Sequence, residues 1–132
     1  MSITVTLLYG GALALVFLVL SIRVIQGRGG KDGPSLGDGG DLTMQRRIRA
    51  HANFAEYVPI ILILIGFLEA AGTAAWIIHS LGASLLLGRI MHGYAFAFAE
   101  KSVIGRSGGI VLTLLALLAA GGLAIMTGIG AT

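Results

Sequence analysis

Arg49, Asn53 and Glu56 are spaced i, i+4 and i+7, which places them on one face of a helix. Arg89, His92 and Phe96 are spaced i, i+3 and i+7 and share a face in the same way. Arg23 and the pair Arg106-Ser107 add two more cations and a hydroxyl. Several guanidinium groups with one carboxylate and one amide suit a small zwitterion that carries an excess of carboxylates. Arginine forks onto carboxylates, and Glu56 would take an ammonium. On a water-exposed surface such residues are unremarkable. In hydrocarbon each charge costs about 2.5–3.5 kcal/mol on insertion scales, so there it marks a function or a structural pairing.

The composition decides which case applies. The chain has 132 residues, of which 56% are hydrophobic and only 11% charged. Its mean hydropathy is +0.93. A soluble domain of this length is usually about 25% charged. There is no cysteine, which excludes disulfides, thiolate metal sites and a cysteine nucleophile. Nothing in the pattern calls for a metal or a nucleotide. The net charge of +3 does not indicate nucleic acid, because the nine basic residues form no continuous stripe and stand beside long apolar runs. The chain reads as an all-α integral membrane protein, a single four-helix domain over residues 1–132.

Four spans follow from the apolar runs. Met1 to Ile22 is a stretch of 22 uncharged residues, and Gly108 to Thr132 is again free of charge. The first run is longer than the core of a signal peptide and has no basic residue before it. In the middle, Tyr57 to Leu68 holds 12 uncharged residues and Ala70 to Gly88 holds 19. These become full spans only if Arg49, Asn53, Glu56, Arg89 and His92 are kept within the bundle. The expected helices lie near 2–26, 43–71, 73–99 and 107–129. Residues 27–41 hold seven glycines in 15 positions and read as a flexible loop, with Asp41 or Thr43 as the next N-cap. That loop lacks the spacing of a phosphate-cradling or calcium-binding loop. Pro59 would remove a hydrogen bond just past Glu56. Ser80, Ser84 and Gly88, and likewise Ala116, Ala120, Ala124 and Gly128, form small-residue stripes suited to close helix packing.

Basic residues cluster at one end. The first loop and its flanks hold Arg23, Arg28, Lys31, Arg46, Arg47 and Arg49, and the third connection holds Lys101 and Arg106, whereas Glu69 to Thr73 holds none. By the positive-inside rule both termini face away from the cytoplasm. All the unusual polar groups then lie toward the cytoplasmic leaflet. Plainer roles are open to each of them. Arg23, Arg28, Arg46 and Arg47 read as interfacial anchors, Arg49 with Glu56 as a bundle ion pair, His79 as a belt residue beside Trp76, and His92 as a packing histidine.

The stretch Arg49-Ala50-His51-Ala52-Asn53-Phe54-Ala55-Glu56-Tyr57-Val58-Pro59 resembles the signature of the MAPEG family, membrane-associated proteins in eicosanoid and glutathione metabolism. The likeness extends to the length, the four spans, the Arg ending the first helix, Arg89-x-x-His92 and Arg106-Ser107. The glycine-rich first loop is similar to the bacterial branch. The resemblance implies a homotrimer in the bacterial inner membrane, with glutathione as co-substrate held between subunits. It implies that Arg23, Arg49, Asn53, Glu56, Arg89 and His92 bind glutathione. Arg106, with Ser107, would stabilise the thiolate for attack on a lipophilic membrane-borne electrophile or hydroperoxide. Ala52 stands where better-studied members carry a second arginine, and Phe96 where several have a tyrosine. Two other classes remain open to the residues themselves. One is a small multidrug-type transporter, although residues 1–22 lack its first-helix carboxylate. The other is a non-enzymatic membrane scaffold that keeps Arg49 and Glu56 for packing.

Overall fold

The structure, a computed structural model, describes residues 2–99 and 102–130. Four helices follow one another: α1 (Thr4–Arg28), α2 (Leu42–Ala70), α3 (Ala75–Ala97) and α4 (Val103–Gly128). They alternate in direction, so the glycine-rich loop and the α3–α4 connection share one end of the bundle, here the loop end. The α2–α3 turn lies at the other.

Helix α2 supplies the core stripe. Phe54, Val58, Ile61, Ile65 and Leu68 are buried at alternating steps of four and three residues. That spacing is the inward seam of a helix packed lengthwise on its neighbours. Helix α3 is buried around much of its circumference, from Ile78, Leu81 and Leu85 to Arg89 and His92. Helices α1 and α4 bury only narrow stripes, Thr6, Leu13 and Leu20 in one and Gly109, Thr113, Ala116 and Ala120 in the other. Among the described residues α1 and α4 do not touch. In cross-section α2 and α3 thus lie back to back, with α1 and α4 flanking them at opposite corners.

Outside those stripes α1 and α4 expose Leu7, Leu8, Leu15, Val111, Leu115 and Leu118 among other large apolar side chains. Such a surface is stable in lipid and not in water. By length and composition α1, α2 and α4 qualify as membrane spans. Helix α3, at 23 residues, is about 34 Å long and so also reaches across hydrocarbon. Its serines, Arg89 and His92 lower its hydropathy, and the core position of Arg89 and His92 keeps them from lipid. The result is an all-α, multi-pass membrane bundle.

Local chemistry sets the helix ends. Asp41 caps α2, its carboxylate accepting from Thr43 N at 2.9 Å. The α2–α3 turn passes through Gly72 at φ +90°, a conformation that costs glycine little. Helix α4 begins at Val103, four residues before the expected start, because Ser102 caps it by accepting from Gly105 N at 3.2 Å. Arg106 and Ser107 therefore lie one turn inside α4 instead of opening it. Glu100 and Lys101 of that connection lie outside the described residues. Helix α2 runs unbroken through Pro59.

At the α3–α4 seam backbone meets backbone. A Cβ added at Gly88 would stand 2.8 Å from Gly109 O and 2.9 Å from Thr113 Oγ1. One added at Gly109 would stand 2.6 Å from His92 N. Ser84 donates across the same seam to Leu112 O at 3.1 Å. The small-residue stripes thus do pack helices, with limits: Ser80 bonds back to Trp76 O, and Gly128 meets nothing.

Candidate functional site

The last carbonyls of a helix have no partner within it. At the loop end, arginines from neighbouring helices fill that need. Arg23 of α1 donates to Ala97 O through Nε at 3.3 Å and Nη2 at 3.0 Å. Its guanidinium also lies 4.5 Å from the centre of the Phe98 ring. Arg46 of α2 donates to Ala95 O at 2.8 Å and to Ala99 O. Arg47 reaches Arg23 O at 3.4 Å, a turn before the end of α1 and so on a carbonyl still inside that helix. Cations here complement the negative ends of α3 and α1.

Around this clasp two cavities open. The larger, about 530 Å³, is lined by Arg46 and Arg49 of α2, Ala95 and Phe96 of α3, and Ser102, Val103 and Arg106 at the start of α4. Three guanidinium groups on one cavity, beside a helix N-terminus, favour an anionic occupant. The smaller, about 440 Å³, is lined by Arg23, Thr43, Arg46 and the chain from Phe96 to Ala99. Arg46 and Phe96 form the wall that the two share. Both volumes fall in the range of roughly 300–1,000 Å³ usual for small-molecule pockets.

The structure therefore brings Arg49 and Arg106 onto one cavity and places Arg23 on its neighbour. Ser107 is exposed on α4 and lines neither. Arg49 Nη1 stands 3.9 Å from Glu56 Oε1, with the two side chains 57% and 52% exposed. Within one chain this pair faces outward, on the same side of α2 as exposed Ile60, Ile63 and Phe67. Asn53, on the same face, turns its carboxamide oxygen toward α3. It accepts from Arg89 Nη1 at 2.7 Å. Arg89 is 1% exposed, and its Nε and Nη2 have no partner among the described residues. Its guanidinium carbon lies 6.0 Å from the Tyr57 ring centre. His92 is buried and stacks on Phe96 at 4.7 Å. His51 and Phe54 point away from the site and stack on Phe17 at 4.6 and 5.1 Å.

Sequence reasoning passed over Arg46, reading it as a lipid anchor. Its signal was present, since it precedes Arg49 by three residues and so sits one turn before it on the same face. Gln45 and Tyr57 were also missed, and nothing in their spacing singled them out.

With this geometry the sequence can be set against known proteins. The sequence pattern of the MAPEG family matches residues 6–126. The chain belongs to the MAPEG family. It is 37% identical over 114 residues to the inner membrane protein YecN of Escherichia coli K12, covering 86% of this chain and 85% of that one. YecN of Escherichia coli O6:H1 is similar to the same extent. No solved structure matches the chain. The matched residues take in the cavity-lining Arg23, Arg46, Arg49 and Arg106, together with Asn53, Glu56, Arg89 and His92.

Proposed function

We propose that the protein is a glutathione-dependent membrane enzyme. It activates the glutathione thiol for transfer to a lipophilic electrophile, or for reduction of a lipid hydroperoxide. The observation that carries this reading is the cavity of about 530 Å³ that Arg49 and Arg106 share. Arg49 and Glu56 hold the carboxylate and ammonium of the tripeptide, with Asn53, His92 and Arg23 completing the binding set and the buried Arg89 bonded to Asn53. Arg106 faces the sulfur, and Ser107, one residue on but outside the cavity of the single chain, is the second catalytic candidate. A free thiol titrates near pH 8.5, and lowering that by two units needs about 2.7 kcal/mol of preference for the thiolate. One guanidinium in a partly dry cavity supplies energy of that order. The lipid flank of the bundle admits the second substrate.

The assembly is a homotrimer in a bacterial inner membrane with both chain ends away from the cytoplasm. An exposed Arg49–Glu56 pair supports an assembly, because a second copy of α2 or a neighbouring helix spares the pair from hydrocarbon.

Glutathione titrated into detergent-purified protein, followed by ultraviolet difference absorbance, tests the reading. A saturable thiolate signal at neutral pH that Arg106→Ala abolishes is the expected result. No signal together with no glutathione-dependent rise in melting temperature would overturn it.

A further inference from the structure

Arg89 is the deepest charge in the bundle. It is 1% exposed, comes from the most buried helix, and makes a single hydrogen bond among the described residues. Taking a guanidinium out of water is expensive, and a single neutral partner repays little of that. The partner is Asn53, on the helix face that also carries Arg49 and Glu56. The geometry of this bond fixes more than a contact. Arginine has only donors, so the atom of Asn53 facing it must be the carboxamide oxygen. A carboxamide is planar, so with Oδ1 held inward Nδ2 is turned away. Nδ2 makes no hydrogen bond among the described residues.

We propose that Arg89 is a positioning residue that locks the Asn53 carboxamide with Oδ1 inward, so that Nδ2 offers only N–H donors to the bound molecule. An unlocked asparagine can flip and accept as readily as donate. A locked one can bind only an acceptor, a carbonyl or carboxylate oxygen, at that point. Beside it Glu56 can only accept when ionised, and so binds donors. The two positions, three residues apart on one helix face, then read opposite ends of a zwitterion, and a ligand entering in reverse meets donor against donor. This deepens the proposed glutathione site and rests on it for the ligand. The buried cation is thus a polarity setter for a side chain it does not share with solvent.

The test exploits a property of the sequence: Asn53 is its only asparagine. Protein labelled with 15N-asparagine gives one side-chain NH2 pair in a nuclear magnetic resonance spectrum, recorded on the full chain in detergent. In the wild type the pair is expected to be sharp and to shift on adding glutathione. Arg89→Met should broaden the pair and weaken glutathione binding about tenfold, the loss of one oriented hydrogen bond. Arg89→Lys, which keeps a donor, should restore much of both. In an Asn53→Ala background Arg89→Met should cost no further affinity, because the route by which it acts is gone. An NH2 pair unchanged by Arg89→Met overturns the proposal, with or without ligand. So does an equal loss of affinity in both backgrounds, which would mean that Arg89 acts independently of Asn53. A wild-type pair that sharpens as expected but ignores glutathione leaves the lock standing and removes the ligand from the proposed function.

Discussion

Glu69, at the end of α2, closes the start of α1 through Thr6. Its carboxylate accepts from Thr6 N at 2.7 Å and Thr6 Oγ1 at 2.6 Å, and from the neighbouring Val5 N at 2.9 Å. The first turn of a helix has N–H groups with no partner of its own, and α1 has no side-chain cap at Ile3. In a membrane protein such groups have little water to turn to. Glu69→Ala is expected to destabilise the bundle by about 1–3 kcal/mol, Glu69→Gln by less, since the amide oxygen still accepts. Unfolding in mixed micelles measures both.

The α3–α4 seam leaves no room for a methyl group. Gly88→Ala should cost about 1–3 kcal/mol, since the new carbon meets Gly109 O and Thr113 Oγ1 at under 3 Å. Gly122→Ala, also in α4, meets nothing within 4 Å and should be neutral or slightly stabilising. Equal melting temperatures for the two variants would contradict the seam.

Replacing both Arg49 and Glu56 by alanine separates binding from packing. Their side chains are more than half exposed and 3.9 Å apart, so the pair contributes roughly 0.2–1 kcal/mol to the fold of one chain. The expected outcome is loss of saturable glutathione binding with the melting temperature of the dissociated chain nearly unchanged. A large drop in that temperature would favour a scaffold.

Arg106→Ala should leave glutathione bound while its thiol titration moves from near neutrality back toward about pH 8.5. Turnover should fall roughly 25-fold at pH 7, following the thiolate fraction. The binding constant and the absorbance titration are read on the same sample.

Much of this was legible beforehand. The four helices were readable because lipid demands long apolar stretches, and the α2 pattern because three polar residues at helical spacing are costly there. Asp41 as a cap was readable from its place before the apolar run. The start of α4 was not. Polarity after residue 99 suggested a longer connection, but Ser102 and Gly105 let the helix begin against α3. The role of Glu69 escaped because a carboxylate near a turn looks solvated until the start of α1 is seen beside it. Arg46 and Arg47 look like lipid anchors in the sequence, and Arg23 like an anchor or a glutathione ligand, since no sequence pattern reveals which carbonyls a distant helix presents to them. The inward turn of Asn53 was equally invisible: spacing puts it with Arg49 and Glu56, and only packing gives it to Arg89.

The contact of Gly88 with Gly109 has a bearing on how this protein can change. It lies beside His92 and one turn beyond Arg106, so two missing side chains set the gap between the helix that carries the buried polar groups and the helix that carries the proposed sulfur-facing cation. A gap set by backbone touching backbone has no soft direction in which to drift. New substrate preferences are then easier to acquire on α1, on the glycine-rich loop or along the lipid flank, where side chains can be exchanged singly. The α3–α4 half is thus cast at one spacing, while the other half is free to be recut.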